Sequence, residues 1–316
     1  MDLAKGICMI LLIFSHIGFM WDHYVIYYFY FPVFLVLSGF FLSFDVDIRK
    51  FIVNRFNKLV IPFLFFYLLS YLLFYLGIAL FPDVMLTEAR GVLDMFTQRQ
   101  WFNGPLWYLL CLFWTSIWLF MICRLIQSVD LQILVVLFIG SIGATLGQKY
   151  IFIPLMIDVS FAALPFLYLG YLVKNFPLLY PSKYDKYDLP IGISLFCLVM
   201  LLSWIKPYNW IGFHTNTVVG NYYWALLVAT PAVFSVLFLC KSIKTISFIT
   251  FFGAYSIVPF SIHHLIYRPV MVMFDSFSIP YPLFFTAIIT VVLSALMIPV
   301  MIKYIPWAIG IKKVIR

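Results

Sequence analysis

Apolar residues in this chain neither alternate along the sequence nor recur on one helical stripe. They form continuous stretches of roughly twenty residues separated by short polar segments. About 20 mostly apolar residues are what an α-helix needs to cross a bilayer. Ten such segments are predicted, near 4–21, 26–44, 59–81, 105–123, 131–148, 156–173, 189–205, 221–240, 248–267 and 282–303. A transmembrane barrel is excluded, because its strands would alternate polar and apolar positions. The pair at 131–148 and 156–173 is the least regular, interrupted by Pro154, Asp158 and Pro165. Pro259 and Pro299 predict kinks, which neighbouring helices tolerate in a membrane. No long polar stretch, internal repeat or low-complexity segment breaks the chain, so a single domain over 1–316 is expected.

Composition agrees with this pattern. Hydrophobic residues make up 65% of the chain and charged residues 10%, against roughly 45–50% and about 25% in soluble domains. Such a chain cannot cover itself with a polar surface. A soluble enzyme, a nucleic-acid-binding domain and a disordered protein are excluded; an all-α, polytopic membrane bundle remains. The net charge of +8 therefore marks membrane orientation, with anionic lipid as its partner, and no nucleic acid. Cys8, Cys111, Cys123, Cys197 and Cys240 are scattered through apolar stretches with no ligand spacing, so neither a disulfide framework nor a metal site is expected. No cleavable signal is evident: the first apolar run starts at once, with only Lys5 ahead of it.

The basic residues divide unevenly between the loops. With the N-terminus inside and ten crossings, the cytoplasmic side holds Lys5, Arg49, Lys50, Arg55, Lys58, Arg124, Lys174, Lys183, Lys186, Lys241, Lys244, Lys303, Lys312, Lys313 and Arg316. The other side holds Arg90, Arg99, Lys149, Lys206 and Arg268. This imbalance places both termini in the cytoplasm. The longest outer loop, about 82–104, carries Asp83, Glu88, Arg90, Asp94, Arg99, Trp101 and Asn103. Mixed charges with aromatics suit a sugar ligand and equally an ordinary interfacial loop.

Ionisable groups inside spanning helices are costly and are candidates for function. Lys5 and His16 are eleven positions apart on the first helix, about 20° past three full turns, so they share one stripe and lie about 16 Å apart. Asp2 precedes Lys5 by three residues and can pair with it across one turn. A neutral imidazole beyond the midplane can accept a proton at physiological pH, as a general base for a hydroxyl must; a packed structural histidine is the alternative. Arg55 and Lys58 share a helical face at the cytoplasmic boundary, just after Arg49 and Lys50. They form either a seat for phosphates or an anchor on anionic lipid heads. Ser38-Gly39 closes the second helix, where small residues let helices approach, and Asn103-Gly-Pro-Leu-Trp107-Tyr108 opens the fourth. Ser256 and His263 are seven apart and share a face of the ninth helix, with His264 beside them. His23 and His214 fall in outer loops. Soluble-enzyme signatures are absent from the sequence.

Several of these segments, in order, resemble one family, the multi-pass membrane acyltransferase family 3. The likeness is strongest to its branch of fucose 4-O-acetylases and related bacterial sugar acetyltransferases. The resemblance runs from Asp2-Leu-Ala-Lys5-Gly6 with His16, similar to the family's basic-x10-His signature, through Phe31 to Phe40 and Phe51 to Pro62. It continues through Gly104-Pro-Leu-Trp107-Tyr108-Leu, Ile157-Asp158 to Gly170-Tyr171, Gly220-Asn221, and Gly253-Ala-Tyr-Ser256 with His263. It implies transfer of an acyl group, usually acetyl from acetyl-CoA, to a hydroxyl of a cell-surface glycan or its lipid-linked precursor, in the bacterial inner (plasma) membrane. It also implies that His16 is essential and that Lys5, Arg55 and Lys58 serve the acyl donor. The chain departs from the family's pattern in carrying Lys5 where arginine is frequent, a sparser basic patch, and the doubled His263-His264.

Together these readings give an O-acyltransferase with His16 as base, Lys5 and Asp2 as its catalytic partners, and Lys5, Arg55 and Lys58 on the donor phosphates. Ser38, Asn103, Trp107, Asp158 and His263 are the expected acceptor contacts. A transporter or flippase for a lipid-linked glycan is the main alternative, and a non-catalytic scaffold is another.

Overall fold

A computed structural model describes residues 1–18, 24–80, 92–97, 101–277 and 281–315, and these are almost wholly helical. The order is α1 (Asp2–His16), α2 (Tyr30–Phe40), α3 (Ile48–Arg55), a π-helical turn (Phe56–Val60), α4 (Ile61–Leu80), α5 (Asp94–Thr97), α6 (Trp107–Leu125), α7 (Val129–Gln148), α8 (Ile157–Leu172) and α9 (Asp188–Ile205). A small antiparallel hairpin, β1 (Trp210–Gly212) and β2 (Thr217–Val219), follows. Then come α10 (Tyr222–Ile243), α11 (Ser247–Ala254), α12 (Ile257–Ser276) and α13 (Pro282–Tyr304).

The ten expected apolar segments map in order onto helical segments. Eight reach spanning length among the described residues, the longest being Ile48–Ala79, where α3, the π turn and α4 run on as one rod. The first two are shorter: α1 has 15 residues and the apolar helix before the first polar loop covers Val25–Phe40. The protein is thus an all-α, multi-pass membrane protein. Pro154 lies in a 3-10 turn ahead of α8, and Pro165 sits within that helix without ending it.

One expected helix is corrected. The segment near 248–267 is not one kinked helix but two, α11 and α12, separated at Tyr255-Ser256. Pro259 supplies the reason. A proline four residues on removes the N–H that would bond the Tyr255 carbonyl, and its ring collides with that carbonyl. In the first turn of a new helix the missing N–H costs nothing. The break places Ser256 on the wall of a cavity. Pro299, by contrast, lies inside the continuous α13.

Two reciprocal glycine contacts set the packing around the site. A Cβ on Gly6 of α1 would overlap the Ile249 carbonyl, and one on Gly253 of α11 would overlap the Asp2 carbonyl. Gly39 of α2 and Gly170 of α8 face each other's backbones in the same way, against Leu167 and Val36. Without a hydrophobic force between helices in lipid, close backbone approach at small residues is what holds such pairs. The first pair fixes α1, with Lys5 and His16, against the α11–α12 break.

Candidate active site

α1 is regular from Asp2 to His16, so the expected stripe is real: Lys5 and His16 stand on one face, with the fully buried Met9 and Leu12 between them. Lys5 pairs with Asp2 at 3.0 Å, and its ammonium lies 5.1 Å from the centre of the Phe41 ring.

At the Lys5 end a cavity of about 330 Å³ opens between α1, α2, the π turn, α6 and the α11–α12 break. Lys5, Ser38, Lys58, Tyr108 and Ser256 supply its polar groups, and Phe34, Leu59, Leu109, Leu112 and Phe260 much of its apolar wall. Ser38 Oγ is 3.5 Å from the Tyr108 hydroxyl. The structure therefore brings Lys5, Lys58 and Ser38 together. Arg55 stands one turn before Lys58 but does not line the cavity; its guanidinium lies over Phe51, 5.4 Å from the ring centre.

At the His16 end three imidazoles meet. His16 Nδ1 lies 2.8 Å from His263 Nε2, with the rings stacked at 5.1 Å. The Nδ1 of His263 lies 2.8 Å from the Pro259 carbonyl oxygen. A carbonyl can only accept, so His263 Nδ1 carries the proton. In the neutral ring Nε2 is then an acceptor, and His16 Nδ1 must donate to it. The chain of bonds runs from His16 through His263 to the backbone, and His16 Nε2 has no hydrogen-bond partner among the described residues. His263, expected to touch an acceptor, is placed by the structure against His16. The His16 ring is thus held in one tautomer by a partner 247 residues away in sequence.

His264 completes the cluster, edge-on to His16 at 5.0 Å and to His263 at 4.9 Å. Both its ring nitrogens are buried without a hydrogen-bond partner among the described residues. Ligand atoms of the three histidines lie within 4.8 Å of one another, a grouping that could hold a metal and that the sequence did not lead one to expect. The 2.8 Å His16–His263 contact fits a hydrogen bond better, since nitrogens sharing a tetrahedral zinc lie about 3.3 Å apart.

The remaining expected residues divide. Asn103 is buried beside the cluster, its Nδ2 donating to Ser70 Oγ at 3.0 Å and to the Ser261 carbonyl at 2.8 Å. Its Oδ1 has no partner among the described residues. The next residue, Gly104, faces the His264 and His214 rings. Trp107 is buried against Phe31, with His214 6.2 Å away. Asp158 is fastened elsewhere: its fully buried carboxylate accepts from Asn216 Nδ2 at 3.0 Å, and the same amide donates to the Gly143 carbonyl, pinning the hairpin loop to α7 and α8. Trp101 is packed against Phe63 and Tyr67. His23, Asp83, Glu88, Arg90 and Arg99 lie outside the described residues, as do the contacts of the Asp94 side chain.

Phe260 joins the two ends. It lines the cavity, touches the Tyr108 ring at 5.5 Å, and lies 6.3 Å from the His263 ring. The cavity thus stops one side chain short of the histidines. Sequence reasoning missed Phe260 and named Tyr108 only as part of the segment opening the fourth helix, since aromatics in an apolar run carry no distinguishing signal.

What fold and site define together is a polytopic membrane protein with a buried imidazole chain beyond a basic cavity. The profile of the acyltransferase 3 family, an acyltransferase domain, matches residues 1–302, and the chain belongs to that family. It is a membrane acyltransferase, the first of the readings the sequence offered. No curated protein and no solved structure matches the chain.

Proposed function

We propose that the protein transfers acetyl from acetyl-CoA to a hydroxyl of a cell-surface glycan or its lipid-linked precursor, at the inner membrane of a bacterium. Coenzyme A enters at the Lys5 end, expected to be cytoplasmic, with its phosphates toward Lys58 and Lys5 and Arg55 behind them. Two ammonium groups on a largely apolar wall suit a polyanion that carries a long thioester arm. The arm passes Phe260 to bring the thioester toward His16.

His16 Nε2 takes the proton of the acceptor hydroxyl as its oxygen attacks the thioester carbonyl. The carbonyl carbon forms the new C–O bond, the C–S bond breaks, and the thiolate leaves as coenzyme A, taking up the proton that His16 received. His264 and Asn103 are the polar groups beside the base; a donor there would stabilise the oxyanion of the tetrahedral intermediate. The single observation that carries this reading is the imidazole chain, which leaves one nitrogen of His16 without a partner among the described residues.

The test is transfer of labelled acetyl from acetyl-CoA by purified protein in detergent, with lipid-linked glycans as acceptors and mass spectrometry of the product. Labelled ester on a glycan is the expected result. Acceptor-independent hydrolysis alone, or no chemistry with any glycan tested, would refute it.

A further inference from the structure

The cavity wall contains two residues that neither the basic motifs nor the matched region 1–302 includes, Ile309 and Gly310. They belong to the segment that follows α13. Its first residues form a compact turn, with the Ile311 and Lys312 amides both bonded to the Pro306 carbonyl at 2.9 and 3.2 Å. Trp307 stacks edge-on to Phe65 at 5.1 Å, and Ala308 and Ile309 are buried.

Two anchors fasten this segment to the residues around Lys58. The first is Gly310, at φ +71°, whose missing side chain lets it lie on the Lys58 backbone; a Cβ would come within 3.1 Å of Lys58 Cα. The second is Asn57, 2% exposed within the π turn. Its Oδ1 accepts from the Val314 and Ile315 amides at 2.7 and 2.9 Å. Its Nδ2 donates to the Ile315 and Val53 carbonyls at 2.9 and 2.8 Å. Three of the four hydrogen bonds of this side-chain amide hold the segment, and the fourth ties it to its own helical rod. π turns recur at functional sites, where the extra residue re-aims a side chain.

Between the anchors lies Ile311-Lys312-Lys313. With Gly310 held at Lys58 and Val314 held at Asn57, this stretch must pass beside the mouth of the cavity. Lys313 adjoins Val314, whose amide is held by Asn57, the neighbour of Lys58, so the two lysines sit on backbones fastened side by side. Like charges gathered at one mouth cost energy unless an anion joins them.

We propose that the segment 305–315 is the missing wall of the donor site and that Lys313 is a third cation for the donor phosphates, clamped in place by Asn57. This rests on the cavity being the coenzyme A site, as argued above. Anionic lipid heads offer the same phosphate chemistry, so the test separates the two.

Binding of coenzyme A to the purified full chain is measured in neutral detergent, and again in nanodiscs with and without phosphatidylglycerol. Lys313→Ala is expected to weaken binding about two- to fivefold in neutral detergent, and Lys313→Glu further, the loss shrinking as salt rises. Asn57→Ala is expected to do likewise by releasing the segment. Lys149→Ala, at the other end of the bundle, is expected to leave binding unchanged. Lys313 is exposed, so its variants keep the test valid even where Asn57→Ala lowers stability. Wild-type protein that binds no coenzyme A would overturn the donor-site reading and this inference with it. Wild type that binds, with both Lys313 variants binding equally well, would overturn the inference alone. So would a Lys313 effect confined to phosphatidylglycerol nanodiscs, which would assign the charge to lipid.

Discussion

Replacing His263 tests the imidazole chain without touching His16, the proposed base. In His263→Ala the Nδ1–H of His16 loses its acceptor, and no other hydrogen bond among the described residues fixes which nitrogen carries the proton. A buried donor left unpaired costs about 1–3 kcal/mol. If that cost falls on the reactive arrangement, turnover drops roughly five- to 150-fold, at about 1.4 kcal/mol per tenfold. His263 does not line the cavity, so donor KM should hold while kcat falls. The assay is steady-state coenzyme A release at saturating acceptor, with thermal unfolding as a control for the space left by a fully buried ring. His263→Gln offers a carbonyl to the same Nδ1–H and is expected to recover part of the loss. The two histidines act as one unit, so the double variant with His16→Ala should be no slower than His16→Ala alone. Turnover within twofold of wild type in His263→Ala, or losses that simply add in the double variant, would refute the reasoning.

Three other perturbations follow from the geometry. Lys5→Ala should raise the donor KM with little change in kcat, and Lys5→Arg should restore it; an acceptor-only effect in the kinetics would show that the cavity is not the donor's. Gly253→Val drives a side chain into the Asp2 carbonyl, and such overpacking costs about 1–3 kcal/mol, so a lower unfolding temperature together with weakened donor binding is expected, and unchanged values for both would show that the α1–α11 contact is not needed. Phe260→Trp enlarges the side chain between the cavity and His263, so single-turnover transfer should slow while coenzyme A still binds; equal transfer rates would mean that the thioester reaches the base by another path.

How much of this was legible depended on the range of the interaction. The spanning helices could be read because crossing a bilayer imposes a length that no other demand imitates. The Lys5–His16 stripe could be read because it lies within one helix, where eleven residues have only one geometry. At Tyr255-Ser256 Pro259 predicts a kink rather than a break, since sequence does not say whether neighbours will hold a helix together across a proline. His263 was noticed for sharing a face with Ser256, yet its partner is His16 on another helix, and helical spacing carries no information between helices. Asp158 illustrates the converse: an acid in an apolar run signals a costly group, but the amide of Asn216 that answers it arrives with a hairpin 58 residues later. Asn57 was one polar residue among basic neighbours, and only the folded chain shows that it holds residues 314 and 315.

The central claim is that Nε2 of His16 performs the proton transfer. Its most direct test is coenzyme A release from acetyl-CoA by purified His16→Ala protein beside wild type, with donor binding measured on both. The account requires intact binding and a rate lower by about 10²–10⁴, the usual worth of a general base. Equal release by the two proteins would contradict it.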